Sequence, residues 1–171
     1  MVIVNFILYF VIFFVLGVNI EALLVALLAS TLLLISIIDI KIQQIPPQCV
    51  LIILVLGICK TILNFSNLYE HLLGLVCISG ILLIIFKISG GSQIGGGDVK
   101  LMASAGLFLG AKNIILAFFV ACLVGTIVHT IRMLFFGAGR QLAMGPYLSF
   151  GILTVALWGE NIISWYSNML F

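Results

Sequence analysis

The sequence predicts an all-α, polytopic membrane protein of about seven helices, one of them short. Two observations predict it. Apolar residue types make up 64% of the chain and charged types only 7%, where a soluble domain carries roughly a quarter charged residues. The mean hydropathy is +1.44, and the apolar residues fall in runs broken by short polar or Gly/Pro segments. Five acids and seven bases cannot cover 171 residues with a water-facing surface, so lipid is the solvent for most of the chain. Backbone groups in lipid must be satisfied within their own segment, which makes helices the expected form of such runs. Residues 1–171 read as a single membrane-embedded domain.

Helices are expected at about 2–18, 21–38, 48–64, 71–88, 98–110, 113–134 and 145–158. The start lacks the basic region and small-residue cleavage site of a signal peptide, so Val2 to Val18 reads as a first membrane helix. Gly17 and Asn19 separate the first two runs, and Glu21 marks the polar turn. Pro46 and Pro47 stop the second helix and suit the start of the third. Asn64, Ser66, Asn67, Glu70 and His71 are expected in a wet loop. Residues 89–97 contain five glycines and form the longest flexible stretch. The fifth helix, about 13 residues, is short for a crossing. Gly110 to Asn113 is a tight turn, 137–145 a polar loop carrying Arg140, and Gly145-Pro146 opens the last span. The tail at 160–171 mixes Ser164, Trp165, Tyr166 and Asn168 with aliphatics, the chemistry of an interfacial helix.

Loop charge sets the orientation. Seven alternating spans put Lys41, Lys87, Lys100, Arg132 and Arg140 on one side, against Lys60 and Lys112, with Glu21, Glu70 and Glu160, on the other. The basic side is expected to be cytoplasmic, which places Asp39 and Asp98 at the cytoplasmic edge of a multi-pass cell-membrane protein. No basic run offers a nucleic-acid surface. Cys49, Cys59, Cys77 and Cys122 form no paired motif, sit in apolar runs, and read as small buried hydrophobes. No metal-ligand spacing or cofactor motif is present. Cys122 and His129 could share a helix face, but His129 reads as a packed interior histidine. The two halves show no matched broken helices, which weakens a transporter reading.

Asp39 and Asp98 are the only aspartates. Asp39 ends an otherwise unbroken apolar run, and Asp98 follows Gly95, Gly96 and Gly97 and begins a helix. Taken singly, Asp98 could be a helix cap and Asp39 an interfacial residue beside Lys41. Ionisable groups at membrane helices are costly, about 3 kcal/mol at the helix centre, and a functional role is their default reading. Two carboxylates on one membrane face suit acid/base chemistry on water. One takes a proton from the water; the other hydrogen-bonds the scissile carbonyl and later supplies the leaving amine's proton. That requires two like charges close enough to share one proton. The glycines would let backbone and substrate approach closely.

These residues resemble a known family. Gly95-Gly96-Gly97-Asp98-Val99-Lys100-Leu101 resembles the GxGD motif of the prepilin peptidases. Asp39 followed by Ile45-Pro46 resembles the family's upstream aspartate and its aliphatic-Pro pair, and Gly145-Pro146-Tyr147-Leu148 resembles the Gly-Pro-aromatic-Leu segment that opens its last helix. The three occur in the family's order over residues 39–148. The resemblance implies a membrane aspartic endopeptidase, without cofactor, that removes the basic leader of type IV prepilins or pseudopilins at the cytoplasmic face. Asp39 and Asp98 would be catalytic, Gly95, Gly96, Gly97 and Pro46 would shape the site, 1–38 would be N-terminal helices, 39–158 the catalytic core and 160–171 the tail. Larger members carry a cytoplasmic segment with paired cysteines and a methyltransferase activity. This sequence lacks those pairs, so cleavage without N-methylation, as in a short peptidase-only branch, is expected. Pro47 stands where the family more often has Asn or Asp. The rival readings are a related GxGD protease with another substrate, and a non-enzymatic transporter or pilus-assembly component using the two aspartates as proton sites.

Overall fold

The computed structural model describes residues 2–91, 94–136 and 143–170. The expected loop segment at 137–142 with Arg140, and residues 92 and 93 of the glycine-rich stretch, lie outside the described residues. Seven α-helices follow in order among the described residues: α1 Val2–Leu16, α2 Ile20–Ile42, α3 Pro47–Leu63, α4 Leu68–Ile88, α5 Gly96–Leu109, α6 Ala111–Phe136 and α7 Gly145–Leu170. A 3₁₀ turn, Phe65–Asn67, leads into α4. The helix starts follow local chemistry. The Asn19 side chain accepts a hydrogen bond from the Ala22 amide at 2.7 Å and caps α2. Pro46 precedes α3 and Pro47 occupies its first turn, where a missing N–H costs nothing.

The fold is all-α and polytopic. α2, α4 with its preceding turn, α6 and α7 are long and apolar enough to cross a membrane, and α1 and α3 are shorter apolar helices. α5 is different. Its 14 residues span about 21 Å, short of the roughly 30 Å hydrocarbon core. It is enclosed instead: Leu101, Met102, Ala105 and Phe108 are fully buried, and it packs on α3, α4, α6 and α7. α4 and α5 cross at Gly74 and Gly106, where a Cβ on either glycine would run into the other's backbone. Such close approach through small residues is how membrane helices gain packing where lipid removes the hydrophobic drive.

Three sequence expectations are corrected. His71 is not in a wet loop. It lies in the first turn of α4, buried, with Nδ1 2.8 Å from the Leu107 carbonyl. The helix starts three residues earlier than the polar cluster suggested, and that phase turns His71 towards α5. The last helix does not stop at 158: α7 continues unbroken to Leu170, because Gly159 packs on Val155 and Asn113 without leaving helical geometry. Asp39 does not end its helix either. α2 runs on to Ile42 and is closed by Gln43 in the left-handed conformation (φ 53°), whose amide donates to the Asp39 carbonyl at 2.9 Å.

The helices alternate in direction and give the bundle two polar ends. One holds Asp39, Ile45, Gly97 and Gly145, joined by the contact of Gly97 with Ile45 and of Gly145 with Asp39. The other holds two ion pairs, Lys60–Glu21 and Lys112–Glu70, each at 3.0 Å.

Candidate active site

The sequence-predicted residues Asp39, Gly95, Gly96, Gly97 and Asp98 line one cleft of about 300 Å³, together with Gln43, Gln44 and Ile45. Three chain segments build it. α2 carries Asp39 one turn before its end, so the carboxylate projects from a regular helix rather than from a loop. The link 43–46 then turns back along the cleft and ends at Pro46, the half-buried residue that precedes α3. α5 begins at the glycines and presents Asp98 in its first turn.

The glycines have different duties. A Cβ on Gly97 would sit 2.9 Å from the Ile45 Cβ, so this glycine lets the α5 start close against the 43–46 link. Gly95 is exposed at the cleft and lies against the Asp98 carboxyl. Pro46 does not line the cleft; it fixes the turn that brings Ile45 to Gly97.

The two carboxyls have unequal surroundings. Asp39 is buried at 5% exposure. Its Oδ2 accepts a hydrogen bond from the Gly145 amide at 2.8 Å. Gly145 is the first residue of α7, so this N–H is one of those a helix start leaves without an internal partner, at the positive end of the helix dipole. A Cβ there would stand 2.7 Å from Oδ2; only glycine allows the contact. Asp98 is half-buried, in the first turn of α5 and outside the four long spans. Burial, and then the charge of Asp39, push its carboxyl up from 3.8 to about 6, against a backbone hydrogen bond from Gly95 that lowers it. Among the described residues neither aspartate has a salt-bridge partner, and no group of three or more His, Cys, Asp and Glu could hold a metal. Lys100 is exposed, two residues past Asp98.

Sequence reasoning missed the part Gly145 plays. Gly145-Pro146 was legible as a helix start, but its amide meets Asp39 across 106 positions, a link that no local pattern carries. It also missed Gln43 and Gln44, whose only signal was their place between Asp39 and the prolines.

Two carboxyls facing one polar cleft at a bundle end, one held by a helix start and one desolvated, can divide base and acid roles on a water molecule. Comparison with known proteins bears on which family uses the arrangement. No solved structure matches the chain. It is 30% identical over 156 residues to a prepilin leader peptidase/N-methyltransferase of Bacillus subtilis, covering 90% of this chain and 62% of that protein. Proteins of the same name from Pseudomonas putida (31% identity, 90% of this chain, 55% of the relative) and Stutzerimonas stutzeri (33%, 82% and 51%) are also similar. The chain thus spans between half and two thirds of the length of these three relatives. The match to the type IV leader peptidase family runs over residues 26–130, from the middle of α2 into α6, and takes in both aspartates: the chain belongs to that family.

Proposed function

We propose that this protein is a membrane aspartic endopeptidase that cuts the leader from type IV prepilins or related prepilin-like proteins at the cytoplasmic face, with Asp39 and Asp98 as its catalytic pair. One observation carries the reading: both aspartates line a single polar cleft, free of cationic partners among the described residues. Family membership and the names of the relatives support the substrate class. The excess of basic residues expected on the side of Asp39 and Asp98 supports the cytoplasmic placement.

In the proposed reaction Asp98 holds the shared proton and Asp39 is ionised. Asp39 takes a proton from water as the water oxygen bonds to the scissile carbonyl carbon. Asp98 donates its hydrogen bond to the carbonyl oxygen, where negative charge develops. The C–N bond then breaks, the nitrogen leaves protonated, and the dyad returns to one shared proton. The leader departs as a carboxylic acid and the remaining chain as a free amine. Gly145 positions Asp39 for the first step, and the Gly95–Gly97 edge leaves room for an extended peptide backbone.

We also propose cleavage without N-methylation. The four cysteines of this sequence form no paired motif, which supports the separation of the two activities named for the relatives. The test of both proposals is one reconstitution. Vesicles holding this protein and a prepilin, with a methyl donor such as S-adenosylmethionine supplied, are expected to give a shortened product whose N-terminal amine is unmethylated by mass spectrometry. Normal processing by Asp39→Asn or Asp98→Asn would sink the dyad, and a methylated product would sink the second proposal. An absence of cleavage accompanied by proton or ion flux that needs the two aspartates would favour a transport role.

A further inference from the structure

Gln43 closes α2 in the left-handed backbone region, at φ 53°. Among the described residues it is the only one other than glycine with a positive φ. Helices often end in this conformation, and glycine is the usual residue there, because a Cβ crowds the neighbouring carbonyl. The backbone duty at this position is simple: the amide donates to the Asp39 carbonyl at 2.9 Å. Glycine would make the same bond without strain. The Gln43 side chain does not secure the helix end either. It is exposed and makes no hydrogen bond with another described residue. An outlier that the local structure does not require is a reason to look for its use elsewhere.

The aspartate cleft supplies that use. Gln43 lines it, four residues past Asp39 and bonded to that residue's carbonyl. Of the eight residues lining the cleft, three are glycines and Ile45 is apolar. Only Gln43 and Gln44 bring uncharged polar side chains to it, and Gln44 does so from backbone without a positive φ. The proposed chemistry engages both carboxyls, so neither is free to hold the peptide main chain. A carboxamide suits that task. It carries a donor and an acceptor on one planar group, and a residue in an extended strand turns its N–H and C=O to the same side. It is also neutral. A lysine here would give the Asp39–Asp98 pair a counter-ion, and a glutamate would add a third like charge.

We infer that the Gln43 carboxamide is a substrate-binding group: it hydrogen-bonds the main chain of an extended peptide beside the bond to be cut, and the left-handed helix end is kept for the side chain it presents. The inference rests on the peptidase reading above and adds a residue that holds the substrate. It separates two roles that predict different behaviour. Gln43→Gly retains the amide that bonds the Asp39 carbonyl, relieves the backbone strain and removes the carboxamide. If Gln43 serves only to end α2, this variant is as stable as the wild type and fully active. If Gln43 binds substrate, the variant is as stable and yet binds its peptide poorly.

The test uses the full chain in vesicles with a full-length prepilin. Gln43→Gly is expected to raise KM about threefold to tenfold with kcat little changed, the effect of losing one neutral hydrogen bond made alike in the ground and transition states. Its thermal midpoint is expected to equal or exceed that of the wild type. Added to Asp98→Asn, where cutting is too slow to interfere, Gln43→Gly is expected to weaken prepilin binding by the same factor. Gln43→Asn tolerates left-handed backbone and keeps an amide one methylene shorter, so it recovers part of the loss. Gln48→Ala, on the exposed first turn of α3 outside the cleft, leaves both constants unchanged. A Gln43→Gly enzyme with the wild-type KM and wild-type binding overturns the inference. So does one whose midpoint falls together with its activity, since that makes the residue structural. Wild-type enzyme that cuts nothing overturns the peptidase reading and this one together, whereas normal cutting by a stable Gln43→Gly enzyme overturns this one alone.

Discussion

The two ends of the bundle treat their carboxylates in opposite ways. At one end Glu21 and Glu70 each meet a lysine at 3.0 Å, and the Lys60 ammonium also lies 4.7 Å from the centre of the Phe108 ring. At the other end Asp39 and Asp98 face a shared cleft with no salt bridge among the described residues. A neutralised carboxylate anchors helices and loses its use as a base. Two unneutralised ones that line one cleft oppose each other's ionisation, and the Asp39 charge, after burial, helps push the Asp98 carboxyl up to about 6. The difference separates an ion-paired end from the end proposed to react, within a chain that has only five acids.

The comparison is most sharply broken by substitution at each end. Asp39→Asn or Asp98→Asn is expected to cut leader processing by roughly 10²–10⁴-fold, the range for removing an acid or base from its step; gel-shift of the prepilin reads this. Glu21→Gln and Glu70→Gln in the same assay are expected to change it little. Next in size is Gly145→Ala. Its Cβ would stand 2.7 Å from the Asp39 Oδ2, so Asp39 must move, and displacement of a reacting group by about 1 Å costs on the order of 10²-fold. The kinetic signature is a loss in kcat with KM nearly unchanged.

Stability is expected to move the other way. The Asp98 carboxyl is raised in the folded protein to about 6 from 3.8, so the fold bears the cost of its charge above pH 6 and none below pH 4. Asp98→Asn removes that cost. Its thermal midpoint is expected to exceed that of the wild type at pH 8, with the gain fading as the pH falls from 6 to 4. The smallest effect is at the holding end: Glu21→Gln is expected to lower stability by about 1 kcal/mol or less, since Glu21 is half exposed, and added salt is expected to shrink the difference.

Much of the fold was legible because lipid enforces a simple grammar: apolar runs become helices, and Pro46, Pro47 and the glycines interrupt them. The short helix after the glycines was legible as too short to cross, but not as the enclosed element that packs on four others, since α5 reads as ordinary apolar sequence. The phase of α4 was lost among Asn64, Ser66 and Asn67, which hid the burial of His71 against Leu107. The end of α7 was lost because Trp165, Tyr166 and Asn168 resemble an interface whether or not the helix is continuous. Both aspartates stood out by their rarity and by the glycine and aliphatic-Pro patterns beside them. Their meeting in one cleft, and the Gly145 amide on Asp39, depend on segments that only tertiary packing brings together.

The central claim is that Asp39 and Asp98 act on one proton as a pair, and it is tested most directly by following the Asp98 carboxyl itself. Site-resolved infrared or ¹³C titration of the reconstituted protein reads it without substrate. The account predicts a transition near pH 6 in the wild type. In Asp39→Asn it predicts a lower one, reduced part of the way because burial remains after the repulsion is gone. An Asp98 transition in the ordinary range near 4, or one that Asp39→Asn leaves in place, would contradict the pairing.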